Sequence, residues 1–479
     1  MRSVKKNFLF HFSYQLVTLL TPLITSPIVS RALGAERLGV FSATLAFVNY
    51  FELFAMLGVA NYGNRSIASV QDNPTETRKI FWNIYAVQFI TSLIAVVCYL
   101  VAICFAVPER REISFVQGIW LIGCLTNINW FFYGIEQFKL ITIRNVVIKT
   151  ITVLLIVLFV RSQSDLITYT LIMAGDAAIS SIVMWPYVFR YIGFEKPRFK
   201  QMKSHLRPNV VLFIPILTLS ISRIIDKTMI DMLSTEIQVG YYYSADKVIS
   251  FPLGVVTALS AVLLPRMSNA YSNKNVDYME DTIKKSIEVT AFFSCSIGMG
   301  IAAIASEFVP LFFGSGFSPC IDLIYLFVPV LFVKAFGELV RSQYLIPTHQ
   351  DRLYTISIVC GILVNILFNY PLIKRYDALG AVLATLLAEL TVTMISLYLT
   401  RKQMHFCKMI VEHIAYLLFG FFMLITVREF SGYIQGLSNV YSLIAMVAVG
   451  AAVYLAACTV YWRMRKESVF HGYVMKICK

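Results

Sequence analysis

Blocks of twenty or more mostly apolar residues recur along this 479-residue chain from one end to the other. Each can cross the ~30 Å hydrocarbon core of a bilayer as a helix, which takes about 20 residues at ~1.5 Å apiece. A water-soluble fold has no place for so many such blocks, so the pattern predicts an all-α integral membrane protein. Composition agrees: 58% of residues are apolar and 14% charged, roughly half the charge of an ordinary soluble domain. The first block follows Arg2, Lys5 and Lys6. It is too long for the apolar stretch of a cleaved signal peptide and reads as a membrane span, with Pro22 and Pro27 tolerated inside it.

Fourteen spans are predicted, near 8–30, 38–62, 81–106, 114–133, 145–160, 166–189, 210–234, 240–265, 286–313, 318–340, 353–373, 378–399, 411–427 and 439–462. Lys and Arg crowd the loops on the side of the N-terminus and are sparse on the other, which predicts that both termini are cytoplasmic. The net charge of +14 lies in short clusters between apolar blocks. That distribution is not a nucleic-acid surface. The strongly basic stretch 190–209 reads as a cytoplasmic linker, attracted to anionic lipid headgroups, between an N-terminal six-helix bundle (1–189) and a C-terminal one (210–400). Two further helices and a basic tail occupy 401–479.

Repeats support this division. LGAERLGVFSA (33–43) and LSTEIQVGYYYSA (233–245) sit at the turns between spans 1 and 2 and between spans 7 and 8. Asp176 in span 6 and Glu389 in span 12 form a weaker echo. A shift of six helices keeps the topology parallel, so the halves should be related by an axis along the membrane normal.

A charge at membrane depth costs about 2.5–3.5 kcal/mol, so it faces protein or a water-filled cavity. Span 7 places Arg223, Asp226, Lys227 and Asp231 along one helical stripe, and span 8 carries Asp246 and Lys247. Both acid–lysine pairs lie about 10 Å below the intervening turn. One reading is a network of crossed ion pairs, Asp226 with Lys247 and Asp246 with Lys227, with Asp231 on the same stripe. The other is a cavity lining in which Arg223, Lys227 and Lys247 receive an anion such as phosphate. Glu52 in span 2 is either a carboxyl bonded between helices or a site for H⁺ or Na⁺ coupling. Lys334 and Glu338, four apart, read as a local ion pair. Asn127, Asn129 and Trp130 in span 4, with Asn365 and Asn369 in span 11, could bond sugar hydroxyls, although asparagine also joins membrane helices.

The chain has no phosphate-binding G-x-x-x-x-G-K-[ST] loop, no H-E-x-x-H and no G-x-S-x-G, and its nine cysteines form no C-x-x-C pair. No cofactor, metal site or catalytic residue is predicted.

The runs TPLITSPIVSRALGAERLGVFS, NYFELFAMLGVANYGNRSIAS and INWFFYGIEQFKLITIRNVVIKT resemble the polysaccharide repeat-unit flippases of the Wzx type, which serve O-antigen and capsule synthesis. RPNVVLFIPILTLSISRIIDKTMIDML, VGYYYSADKVI, ALSAVLLPRMSN and ALGAVLATLLAE continue the resemblance to about residue 400. It implies the fold of the multidrug/oligosaccharidyl-lipid/polysaccharide exporter superfamily: two six-helix bundles in a V, working by alternating access. The implied cargo is an undecaprenyl-diphosphate-linked oligosaccharide, moved from the cytoplasmic to the outer leaflet of a bacterial cell membrane. Membrane lipids and other polysaccharide-assembly proteins are the implied partners. The family's lumen is expected to be cationic, whereas here Asp226, Asp231 and Asp246 offset the three cations in number. The competing readings are a multidrug/cation antiporter of the same fold, with Glu52 as its cation site, and a scaffold or enzyme of glycan assembly. The short outer loops argue against an enzyme.

Overall fold

The computed structural model describes residues 2–105, 108–434, 439–465 and 468–471, and for residues 2–16, 19, 109, 215, 218, 219, 222, 223 and 261 it describes the backbone alone. Among the described residues the chain is helical throughout, without strands. The helices are α1 (Arg2–Met56), α2 (Val59–Ala68), α3 (Pro74–Cys104), α4 (Arg111–Gln117), α5 (Ile119–Thr126), α6 (Asn129–Gly134), α7 (Phe138–Phe159), α8 (Leu166–Ile182) and α9 (Trp185–Tyr191). They continue as α10 (Phe199–Leu233), α11 (Glu236–Ser272), α12 (Val276–Phe312), α13 (Cys320–Val340), α14 (Asp351–Thr400), α15 (Phe406–Val411), α16 (Ala415–Tyr433) and α17 (Asn439–Met464).

Eleven helical stretches among the described residues are long and apolar enough to cross a membrane. Two of them, Leu20–Ala68 and Asp351–Thr400, each hold two arms separated by a non-helical residue. In α1 that residue is Gly34, with φ 76° and ψ 173°, a conformation only glycine adopts without strain. In α14 it is Asp377, with φ 51°. The sequence separates these arms as spans 1 and 2 and spans 11 and 12. α10, predicted as span 7, is not among the eleven.

Local chemistry sets several helix starts. Asn73 accepts from the backbone N–H groups of Thr75 and Glu76, both at 3.2 Å, and Pro74 follows it, so α3 begins with orphan donors satisfied. Before α8, the Asp165 carboxylate accepts from the Ser162 N–H at 2.8 Å. On α7, Ile143, Val147, Ile151, Leu154 and Leu158 are each about half exposed and share one side. An apolar stripe of that length belongs against lipid.

The chain divides into two compact units, Met1–Gly240 and Tyr241–Lys479, so the boundary falls inside α11. In the first, α1 packs on α3, α7 and α10, and α5 packs on α8. Its core includes Phe81, Trp130, Phe131 and Phe132. The predicted linker 190–209 is mostly helical: only 192–198 lacks regular structure, and α10 begins at Phe199. The reason lies in its periodicity, since Lys200, Lys203 and Arg207 form one exposed basic face of that helix. The stretch is tied to α3 by Trp82 Nε1 donating to the Gly193 carbonyl at 2.9 Å and by Asn83, which donates to Gln201 and accepts from the Arg198 N–H.

In the second unit α12 packs on α13, α16 and α17. The predicted extra helices are thus part of its core. Buried Glu288 of α12 anchors them, accepting from Tyr416 Oη at 2.8 Å, Ser468 Oγ at 2.6 Å and the Val469 N–H at 2.9 Å. Satisfying all of these lone pairs is what allows a carboxylate to stay buried there.

Candidate transport site

α10 runs antiparallel to the second arm of α1 and to α2. Going up one helix and down the other, Tyr50 Oη lies 3.1 Å from Thr228 Oγ1, Phe54 meets Phe213 edge-on with ring centres 5.7 Å apart, and Tyr62 Oη is 2.7 Å from His205 Nδ1. On α10, Asp226 is 4% exposed and Lys227 is half-buried. The side chain of Arg223 lies outside the described residues. Asp246 and Lys247 belong to the second unit, where Lys247 Nζ sits 4.2 Å from the centre of the Tyr243 ring. The face of that ring attracts the ammonium.

Asp231 has a partner that helical spacing could not reveal. Arg110, read in the sequence as a loop residue, donates to both Asp231 carboxylate oxygens at 2.7 Å and to Glu236 Oε1 from Nη2 at 2.6 Å. The repeated motifs meet beside this clamp. A Cβ on Gly39 would fall 1.7 Å from the Glu236 carbonyl oxygen, and one on Gly240 would fall 1.8 Å from that of Ala35. The two glycines therefore allow a reciprocal backbone-to-backbone approach that no other residue permits.

Glu52 faces another way. It is two residues, about 200° of helix, from Tyr50, and its Oε2 accepts from Trp120 Nε1 of α5 at 2.8 Å. Tyr50 therefore points to α10 and Glu52 to α5. The asparagines are engaged locally: Asn127 Oδ1 accepts from the Asn129 N–H at 3.1 Å, and Asn369 Nδ2 donates to Asn365 Oδ1 at 2.9 Å, with both of the latter buried. Trp130 is buried too, its indole donating to Gln88 at 2.9 Å.

Other charges emerge only in three dimensions. Buried Arg144 donates to Asn129 Oδ1 at 2.8 Å and to the Ser180 carbonyl at 2.7 Å. Asp176 accepts from Lys149 Nζ at 2.6 Å and from Thr152 Oγ1 at 2.8 Å. Its echo Glu389 plays the same part in the second unit, where Lys334 lies 3.4 Å away. The local Lys334–Glu338 pair expected from spacing is thus corrected. Glu389 is the more buried acid and has more to gain from a cation, while Glu338 pairs with Arg341 at 3.2 Å.

Residues 4–271 match the family described as polysaccharide biosynthesis protein. The chain belongs to that family. The match covers more than half of the sequence and bears out the resemblance carried by TPLITSPIVS and INWFFYGIEQF. The chain is 22% identical over 407 residues to a candidate O-antigen transporter of Escherichia coli (strain K12), a match covering 84% of this chain and 97% of the relative. Its fold is shared by a solved structure of the lipid II flippase MurJ in an inward closed conformation, with a TM-score of 0.69 at 16% identity over 94% of this chain and 98% of that one. An inward-facing multidrug resistance MATE transporter of the MOP superfamily gives 0.65 at 17% identity, over 84% and 98%. The family member described here is thus a multi-pass helical membrane protein with the fold of that superfamily.

Proposed function

We propose that this protein is a flippase that carries an undecaprenyl-diphosphate-linked oligosaccharide repeat unit from the cytoplasmic to the outer leaflet of a bacterial cell membrane, by alternating access and with both termini in the cytoplasm. The observation that carries the reading is a helix of the family-matched region, α10, on which buried Asp226 and half-buried Lys227 sit within an apolar bundle. Such groups persist where they meet one another, water or a charged cargo. In this reading Arg223, Lys227 and Lys247 receive the diphosphate, whose phosphate oxygens suit both a guanidinium fork and ammonium point charges. Asp226 and Asp246 hold the lysines when the cargo is absent. Glu52 couples transport to an H⁺ or Na⁺ gradient.

The test is translocation in proteoliposomes containing a lipid-linked oligosaccharide. Arg223→Lys should keep part of the activity, having lost only the fork, and Arg223→Ala should lose most of it with the protein still folded. Normal transport by Arg223→Ala removes that residue from the site. A cation antiporter is the second reading, favoured by the Glu52 carboxylate held at the indole N–H of Trp120, an acid and an aromatic side by side that suit an organic cation. Glu52→Gln with unaltered pH and sodium dependence of transport would remove Glu52 from either mechanism.

A further inference from the structure

At the end of α10 that carries His205, a groove of about 500 Å³ is lined by Tyr62, Arg65, Ser66, Ser69, Arg207 and Val211, among others. We propose that this groove docks the phosphate groups of a lipid headgroup at the membrane surface. Four observations converge on that chemistry.

First, Arg65 and Arg207 are both exposed, and their side chains make no hydrogen bond or ion pair among the described residues. Two guanidinium groups share one cavity without a carboxylate to neutralise them. That arrangement repels cations and offers two planar forks to phosphate oxygens. Second, the rest of the lining is amphipathic. Ser66 supplies a hydroxyl near the arginines, and Pro208, Val211 and Leu212 form an apolar wall in which Val211 is 59% exposed. A lipid presents the same two faces, a charged head and an apolar stem.

Third, α10 changes character at this level. Lys200 and Lys203 are exposed on the turns before the groove, Arg207 is exposed in its lining, and Val210, Val211 and Ile214 are exposed at and after it. Exposed basic residues giving way to exposed apolar ones mark a membrane–water boundary, where anionic headgroups lie. Fourth, the repeat supplies a counterpart. Each half places an arginine at a similar distance after its repeated motif, Arg65 in one and Arg266 in the other. In the second unit exposed Arg266 lines a cavity of about 410 Å³ with Asn269, Asn273, Asn275 and Tyr278.

The phosphate could belong to an ordinary anionic phospholipid or to the diphosphate of the proposed cargo. To separate them, the purified full-length protein is placed in nanodiscs of phosphatidylcholine, and binding of undecaprenyl diphosphate and of phosphatidylglycerol is measured by native mass spectrometry, with inorganic pyrophosphate as competitor. The variants are Arg65→Gln/Arg207→Gln and, as charge-conserving control, Arg65→Lys/Arg207→Lys; thermal unfolding verifies that each is folded. We expect the glutamine variant to bind at least one of the two lipids tenfold or more weakly and the lysine variant to retain most of the binding. Loss confined to undecaprenyl diphosphate assigns the groove to the diphosphate, and equal loss of both assigns it to lipid phosphate in general. If the glutamine variant binds both lipids as the wild type does, the proposal is overturned. Binding is read here without transport, so a chain that binds but does not flip would count against the flippase reading and leave the groove standing.

Discussion

At one end of the first unit Arg110 is held between Asp231 and Glu236, with its guanidinium donors directed at carboxylate oxygens 2.6–2.7 Å away. At the other end, about 36 Å away along α10, Arg65 and Arg207 share a groove with no carboxylate partner among the described residues. The same side chain therefore does two jobs. Where glycines bring backbones into contact, arginine is consumed by the protein and closes a structural joint. Where the helices emerge from the apolar layer, arginine is left with its donors open. The comparison teaches that positive charge in this fold is not one feature but two, and charge without an acidic partner is the more readily available to a ligand.

The largest expected effect tests the closed end. Gly39→Val pushes side-chain carbons into the Glu236 carbonyl, an overlap that costs about 1–3 kcal/mol or more even after relaxation. Folded yield and Tm should fall sharply, and Gly240→Val should do the same; a normally stable Gly39→Val would show that the joint is not close-packed. Next in size is Arg110→Ala. Its partners are 21% and 30% exposed, so solvent screening holds the loss to about 1–2 kcal/mol. A double-mutant cycle with Asp231→Asn should give a coupling well above that of an ordinary surface pair, and zero coupling would dissolve the clamp.

A smaller effect is expected at the open end. Burial holds the His205 imidazole below its usual pKa, so the folded protein favours the neutral ring that meets Tyr62. Stability from this source is present above the ordinary value of about 6.5 and is lost as pH falls through it toward the depressed folded value. Protection of α2 and the start of α10 against hydrogen exchange, relative to the intrinsic rate at each pH, should therefore fall on acidification, and His205→Gln should flatten that dependence; an identical pH profile in the variant would exclude His205 as the source. The smallest effect on stability belongs to Arg65→Gln/Arg207→Gln, within about 0.5 kcal/mol of wild type. A large drop in Tm would mean that these arginines are structural like Arg110, and the contrast between the ends would collapse.

Much of this architecture was legible in the sequence because a bilayer imposes a length and a polarity that can be read block by block. The motifs at 33–43 and 233–245 were legible as similar runs, and the structure adds that Gly39 and Gly240 each lie against the other's segment. The family was legible from runs such as INWFFYGIEQF, whose Ile128, Trp130, Phe131 and Phe132 prove to be buried core. What stayed hidden was pairing across helices. Arg110 looked like a loop charge and Arg144 like another, since their partners lie elsewhere in the chain and no periodicity links them. Lys334 was matched to Glu338 because spacing favours four residues, yet buried Glu389 on α14 competes more strongly. Glu288 passed unnoticed at the edge of its span, although an acid there needs several donors and finds them more than a hundred residues away, on α16 and after α17.

The most direct test of the account is transport by the wild-type protein in proteoliposomes carrying both an undecaprenyl-diphosphate-linked oligosaccharide and an organic cationic dye. Leaflet exposure of the oligosaccharide is read with a membrane-impermeant glycosidase, and dye movement by fluorescence under imposed pH and sodium gradients. A flippase should expose the oligosaccharide in a protein-dependent manner while leaving the dye unmoved. Gradient-driven movement of the dye with no change in the oligosaccharide would contradict the central claim and leave a cation antiporter on the same fold.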